Sequence, residues 1–296
     1  MVQIITDSST LYTVEQAKEA GFEAVPLCVN IGEIEGRDLQ VDMADFYKRI
    51  SEGQLPQSSQ PPVGEVVDAF EKYADCDIIN ISMADGLSGT YQTACMAKGM
   101  VENNDKITVI NSKTLCGPHR YMVEKAQEMK EAGCSAKEII DWVNSAIEKT
   151  ESFLIPQDFG FLKRGGRLTP VAAALGSVLK LKPVMTLTED CKKLDKFCIK
   201  RTMSSAVKAI LDHMEERQVD ARHIVYVVHA DALKEATQIK ETIEERFPGA
   251  EVCMMDLSPV FVTQGGPQCI AIQYIEKFEN CSNFTPLTRT QNFTEK

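Results

Sequence analysis

Four short polar clusters carry the chemistry this sequence offers. They are Asp7-Ser8-Ser9, Ser58-Ser59-Gln60-Pro61, Ser88-Gly89-Thr90 and Gly165-Gly166-Arg167. Each combines hydroxyls or glycines with the start of a turn or helix, a combination suited to holding an anion. Asp7-Ser8-Ser9 and Ser88-Gly89-Thr90 follow strand-like apolar runs at residues 2–6 and 77–82. An open α/β sheet binds ligands beyond the C-terminal ends of its strands. A helix opening at Ser88-Gly89-Thr90 would add free backbone N–H groups and the positive end of its dipole. The same residue types also cap helices and shape turns, and Gly-Gly-Arg also suits a tight turn. The residues alone leave both roles open.

Other chemistries lack their signatures. There is no Gly-x-x-x-x-Gly-Lys-Ser/Thr phosphate loop, no Gly-x-Gly-x-x-Gly dinucleotide loop and no Gly-x-Ser-x-Gly nucleophile elbow. The histidines His119, His213, His223 and His229 show no metal-ligand spacing among themselves or with cysteines. His229 closes a strand, where a ligand contact and a structural hydrogen bond are both open. Trp142 falls on a helix face suited to a core. No catalytic residue and no metal ligand is assigned.

The elements that must position these clusters follow from hydrophobic periodicity. Runs at 2–6, 22–29, 77–82 and 107–110 read as strands, with Pro26 marking a sheet edge or a late start within the second. Between them, helices open at a Thr13-x-x-Gln16 capping box, at Asp42, at Pro61-Pro62 and at Ser88-Gly89-Thr90, and two more span about 114–131 and 135–149. Strands alternating with helices predict a parallel sheet covered on both faces. After about residue 151 the pattern changes. A hairpin is expected at 181–188 and 193–199, and helices at 202–216 and 232–247 flank a strand at 224–229. Strands at 252–255 and 269–275 complete a mixed unit. The predicted organisation is an N-terminal α/β domain over 1–151, a mixed α/β domain over 152–279 and a polar tail over 280–296.

Composition narrows the function classes. The chain has 296 residues, 44% hydrophobic and 25% charged, with a formal net charge of −11. That charge argues against sequence-independent binding to nucleic acid or an anionic membrane. No stretch approaches the ~20 apolar residues of a membrane span, and the N-terminus reads as a strand rather than a signal peptide. Ten cysteines occur without any CxxC pair and read as reduced thiols. A cytoplasmic protein is the expectation.

Taken in order, the motifs resemble the DegV family. Thr6-Asp7-Ser8-Ser9 is similar to its opening motif, Ser58-Ser59-Gln60-Pro61 to its Thr-Ser-Gln-Pro segment, and Leu87-Ser88-Gly89-Thr90-Tyr91-Gln92 to its most recognisable signature. Val109-Ile110-Asn111-Ser112-Lys113, Leu162-Lys163-Arg164-Gly165-Gly166-Arg167, Leu181-Lys182-Pro183 and Lys200-Arg201-Thr202 continue the likeness to about Phe278. The resemblance implies two α/β domains with a long-chain fatty acid between them as ligand and no cofactor. It implies a carboxylate held by Ser58 and Ser88, with the backbone at Gly89 and Thr90. It also implies a fatty acid kinase as partner, which phosphorylates the bound carboxylate for phospholipid synthesis. Arg167, Arg201 and Thr263 are further candidates for the head group or the incoming phosphate.

Two departures stand out. A family loop that commonly carries a His reads Val262-Thr263-Gln264-Gly265-Gly266-Pro267-Gln268 here, placing Gln264 at the His position. An amide donates a hydrogen bond but does not titrate near neutrality. Cys116-Gly117-Pro118-His119 replaces a small, glycine-rich stretch. The leading expectation is a lipid carrier without membrane insertion. The rivals are a transferase or hydrolase acting on a small anionic or acyl substrate at the same hydroxyls, and a regulatory protein whose lipid only supports the fold.

Overall fold

The computed structural model describes residues 1–175 and 181–278; the tail expected over 280–296 lies outside them. A four-stranded, all-parallel sheet forms the N-terminal half. Its strands β1 (Val2–Asp7), β2 (Glu23–Val25), β6 (Asp77–Ser82) and β7 (Ile107–Asn111) lie in the order β2-β1-β6-β7. Alternation along β1 and β6 sends side chains to both faces. Ile5 and Ile78 pack under α3 (Val63–Lys72) and α4 (Thr90–Lys98). Ile4, Ile79 and Ile81 face α5 (Cys116–Glu131) and α6 (Ala136–Ile147).

The run at 22–29 is two strands rather than one. Pro26 cannot donate to a ladder, so the chain leaves β2, an edge strand, and enters a separate three-stranded antiparallel sheet. That small sheet has the order β4-β3-β5, from β3 (Cys28–Ile31), β4 (Ile34–Arg37) and β5 (Gln57–Ser59). The Ser58 segment, a polar cluster ahead of the helix opening at Pro61-Pro62, is therefore a strand, with Ser58 opposite Val29. Helix α1 (Val14–Glu19) opens on the expected box between Thr13 and Gln16, and α2 (Met43–Ser51) is capped by Asp42.

The C-terminal half is a six-stranded mixed sheet. It contains β8 (Thr150–Ile155), β9 (Lys182–Leu187), β10 (Leu194–Lys200), β11 (His223–His229), β12 (Glu251–Asp256) and β13 (Ile270–Glu276), in the order β10-β9-β8-β13-β11-β12. The β9–β10 hairpin is as expected, and only β11 and β12 run parallel. Short helices α7 (Phe159–Gly165), α8 (Pro170–Ala173) and α11 (Pro259–Gly265) pack around the sheet's end, and α9 (Met203–Glu216) and α10 (Leu233–Arg246) cover one face. The opposite face, through Tyr226, Val228, Ala271 and Ile275, shares one continuous core with α5, α6 and the parallel sheet. One core cluster therefore spans the boundary expected near residue 151, alongside separate clusters in each half. The helical layer α5–α6 serves both sheets, because β11 and β13 read as near-continuous apolar runs that need cover on both faces.

Candidate functional site

A cleft opens between the N-terminal and C-terminal sheets. Its walls are mainly leucines, with Met83, Phe153, Val260 and Phe261. Both halves contribute. Leu27, Leu87 and Leu115 come from the N-terminal side, and Leu154, Leu162, Leu187 and Leu194 from the C-terminal side. Cys116 and Cys269 also face the space. Burial pushes both thiols up, that of Cys269 to about 12, so they stay protonated and behave as apolar surface.

Four of the expected residues, Ser58, Ser88, Arg167 and Gln264, line this cleft. They sit together because their elements interlock. Gln264, in the last turn of α11, donates from Nε2 to Ser58 Oγ at 3.0 Å, and its buried Oε1 has no hydrogen-bond partner. Arg167, just past α7, donates from Nε to Leu87 O at 2.9 Å and from Nη1 to Gly165 O. It forms no ion pair among the described residues, so its charge is held by carbonyls rather than neutralised. Gly165 itself lies against the Gln264 amide, where an added Cβ would meet Oε1. The Ser58 and Ser88 segments meet through Gln60, whose side chain fills the space a Cβ on Gly89 would need. The result is a polar wall on a largely apolar cleft.

The other expected residues stand apart. Thr90 is buried, with Oγ1 2.8 Å from Ser88 Oγ, and its N–H donates to Ser88 Oγ at 3.3 Å. Gly89 is the N-cap of α4 and does not line the cleft. Thr263 donates its hydroxyl to Pro259 O within α11, which leaves no donor for a ligand. Arg201 is exposed past the end of β10 and outside the cleft.

Asp7-Ser8-Ser9 proves internal. Asp7 accepts from Ser9 N and from Met83 N, both at 2.9 Å. Ser9 Oγ lies 2.7 Å from His119 Nδ1, and His119 Nε2 is 3.0 Å from Ile81 O. A carbonyl only accepts, so Nε2 carries the proton and Nδ1 accepts from Ser9. This hydroxyl–imidazole pair has nucleophile–base geometry, but both residues are sealed from the cleft, and burial lowers the His119 pKa and keeps the ring neutral.

Two polar residues on the cleft wall, Gln273 and Ser152, carried no motif. Gln273 was visible only as one polar residue in the apolar run Ile270–Glu276. Asp38 was not visible at all. It is buried between the halves and accepts from Ser8 Oγ, Ser258 Oγ and Val260 N at 2.8, 2.9 and 3.1 Å. It thereby caps α11, the helix that carries Gln264, from the other half of the molecule.

A comparison with protein families matches residues 1–277 to DegV, described as an uncharacterised protein family. The chain belongs to the DegV family. A DegV domain-containing protein of Halalkalibacterium halodurans is 31% identical, over 93% of this chain and 99% of its own. The crystal structure of DegV from Bacillus subtilis, a fatty acid binding protein, matches with a TM-score of 0.82 at 28% identity, covering 93% and 99% of the two chains. A stearic acid-binding protein from Eubacterium ventriosum shares the fold, with a TM-score of 0.82 at 22% identity over 94% and 99%. Structures of DegV proteins contain bound fatty acids, and their two-domain α/β fold is the one described above. No helix among the described residues is long and apolar enough to cross a membrane.

Proposed function

We propose that this protein binds a long-chain fatty acid in the cleft and presents its carboxylate, at the polar wall, to a fatty acid kinase. The observation that carries the reading is the concentration of Ser58, Ser88, Gln264 and Arg167, which has no acidic partner among the described residues, on one wall of a largely apolar space. The fatty acid bound by the Bacillus subtilis relative supports the ligand class. Each buried methylene contributes roughly 0.8 kcal/mol, so a sixteen-carbon chain offers on the order of 10 kcal/mol before ordering costs. A carboxylate buried without partners would cancel much of this. The two hydroxyls and the guanidinium offset that cost.

Added palmitate is expected to raise the thermal midpoint of the whole molecule, and acetate to leave it where it was, because ligand bound only to the native state stabilises by mass action. Equal shifts with both would mean that the site reads the carboxylate alone, and the reading would fail. Ser88→Ala should keep the fold and weaken fatty acid binding by about 1–3 kcal/mol, a factor of roughly 5–150. A titration with a fluorescent fatty acid that returns an unaltered affinity would remove Ser88 from the site.

Gln264 holds Ser58 as a neutral donor and cannot become cationic beside developing phosphate charge. Gln264→His is therefore expected to keep fatty acid affinity within a few-fold and to speed acyl phosphate formation by a compatible kinase. Labelled phosphate transfer from ATP, with lipid-loaded wild type and variant side by side, reads this directly. A wild type already as fast as the variant would show that position 264 does not limit transfer.

A further inference from the structure

The polar wall is not the cleft's only polar point. Gln273, on β13, reaches the cleft surface with its side-chain amide fully engaged and its orientation forced. Gly117 N–H can only donate, so the atom it meets at 3.2 Å is Oε1. Leu115 O can only accept, so the atom 3.1 Å from it is Nε2. The second Nε2 proton goes to Ser152 Oγ at 2.9 Å. Ser152 Oγ is therefore an acceptor in that bond, and its own proton must point elsewhere. No acceptor for that proton occurs among the described residues, and Ser152 lines the cleft. Thr186 bonds the Ser152 carbonyl rather than the hydroxyl. A hydroxyl donor thus remains unspent on a wall otherwise formed there by Leu115, Phe153 and Leu187.

Its place along the cleft is set by the strand. Ser152 and Leu154 project from the same face of β8, two residues and roughly 7 Å apart. Leu154 packs beside Gly265, next to Gln264 at the polar wall. Ser152 therefore stands beyond the carboxylate end, where the ligand's chain would run. The geometry points to a second recognition point at Ser152: the cleft accepts an acyl chain bearing an acceptor oxygen partway along, a keto or hydroxy fatty acid. This rests on the fatty-acid reading of the cleft and adds a ligand subclass to it. In a purely apolar cleft a mid-chain carbonyl would lose its water without recompense. Here one position along the chain meets a donor already fixed by Gln273.

The test is a competition series of octadecanoic acids with a single keto group moved stepwise along the chain, against stearate, on the full protein. One position is expected to bind at least as tightly as stearate, with the others at least tenfold weaker. In Ser152→Ala the preference for the matched isomer over stearate should fall at least fivefold, and Ser152→Thr, which keeps the donor, should restore it. If every keto isomer binds more weakly than stearate to the wild type, the inference is wrong, whether or not the alanine variant folds. The same holds if the preference survives in Ser152→Ala. If stearate itself does not bind, the fatty-acid reading fails instead, and the two failures are distinct.

Discussion

Replacing Asp38 with alanine is expected to destabilise the protein by about 1–3 kcal/mol at pH 7, and by considerably more towards pH 4. The carboxylate collects donors from three segments that share no secondary structure: Ser8 after β1, Ser258 before α11 and Val260 in the first turn of α11. Ser258 holds the N-cap position of α11 yet gives its hydroxyl to Asp38 rather than to the helix. Removing the carboxylate leaves the buried Val260 N–H without a partner, and an orphaned buried donor costs about 1–3 kcal/mol. The pH dependence comes from burial. Desolvation pushes Asp38 up from an ordinary 3.8 to about 6, outweighing the hydrogen bonds from Ser8, Val260 and Ser258 that favour the charged form. A carboxyl with a raised folded pKa binds its proton more readily folded than unfolded. Its contribution is therefore fully present below about 4 and is lost as pH rises to about 6. The difference of about 2 pH units corresponds to about 3 kcal/mol. The gap between wild type and Asp38→Ala in denaturant unfolding should widen by that amount from pH 7 to pH 4. A gap independent of pH would mean that folding does not raise the Asp38 pKa. Because α11 carries Gln264, fatty acid affinity should fall with stability even though Asp38 does not line the cleft.

The second large effect is expected at Gly117. A Cβ there would lie 2.1 Å from Tyr226 Cγ and 2.4 Å from Cδ2. Neither partner has room to move. Tyr226 is central in β11 and 3% exposed, and the start of α5 is tied to Gln273 through the Gly117 N–H and to β6 through His119. Overpacking of this kind usually costs about 1–3 kcal/mol and sometimes more. Gly117→Ala should sit at or above the upper end even after the ~1 kcal/mol that alanine gains in a helix. At roughly 2–4 °C per kcal/mol, the thermal midpoint should drop by about 6–12 °C. Gly64, in the first turn of α3, has open space where its Cβ would be. Gly64→Ala should leave the midpoint unchanged or raise it. If both variants behave alike, the close approach of α5 to β11 is not what holds Gly117 as glycine. Leu115 and Cys116 line the cleft immediately before Gly117, so its replacement should also weaken ligand binding.

Much of the fold was legible because its signals are local. The capping box at Thr13, the β9–β10 hairpin and the apolar runs of β1, β6 and β11 depend on residues a few positions apart. The Ser58 strand was not legible. Its three residues have no apolar periodicity, and pairing with β3 across the chain makes them a strand. The shared core at α5 and α6 was hidden for a related reason. Apolar faces on a helix announce burial but not which sheet buries them, and here two sheets do.

The candidate site divides along the same line. The hydroxyls at 58 and 88, the arginine at 167 and the amide at 264 could be named from the chain, because their motifs are contiguous and ordered. The structure decided which of the named residues share a space. Thr263 was drawn off by its own helix, and Arg201 was left in solvent. Asp38, Ser152 and Gln273 emerged only in three dimensions. The Asp38 and Gln273 partners come from segments 30 to 222 residues apart. By itself, then, the sequence determined the local elements and the residue types able to hold an anion. Tertiary structure alone decided which polar groups are spent on the protein itself and which are not, such as the Ser152 hydroxyl proton and the Arg167 charge, which meet no acceptor and no carboxylate among the described residues. That depends on donors and acceptors meeting across the two sheets, and spacing along a chain does not encode such meetings.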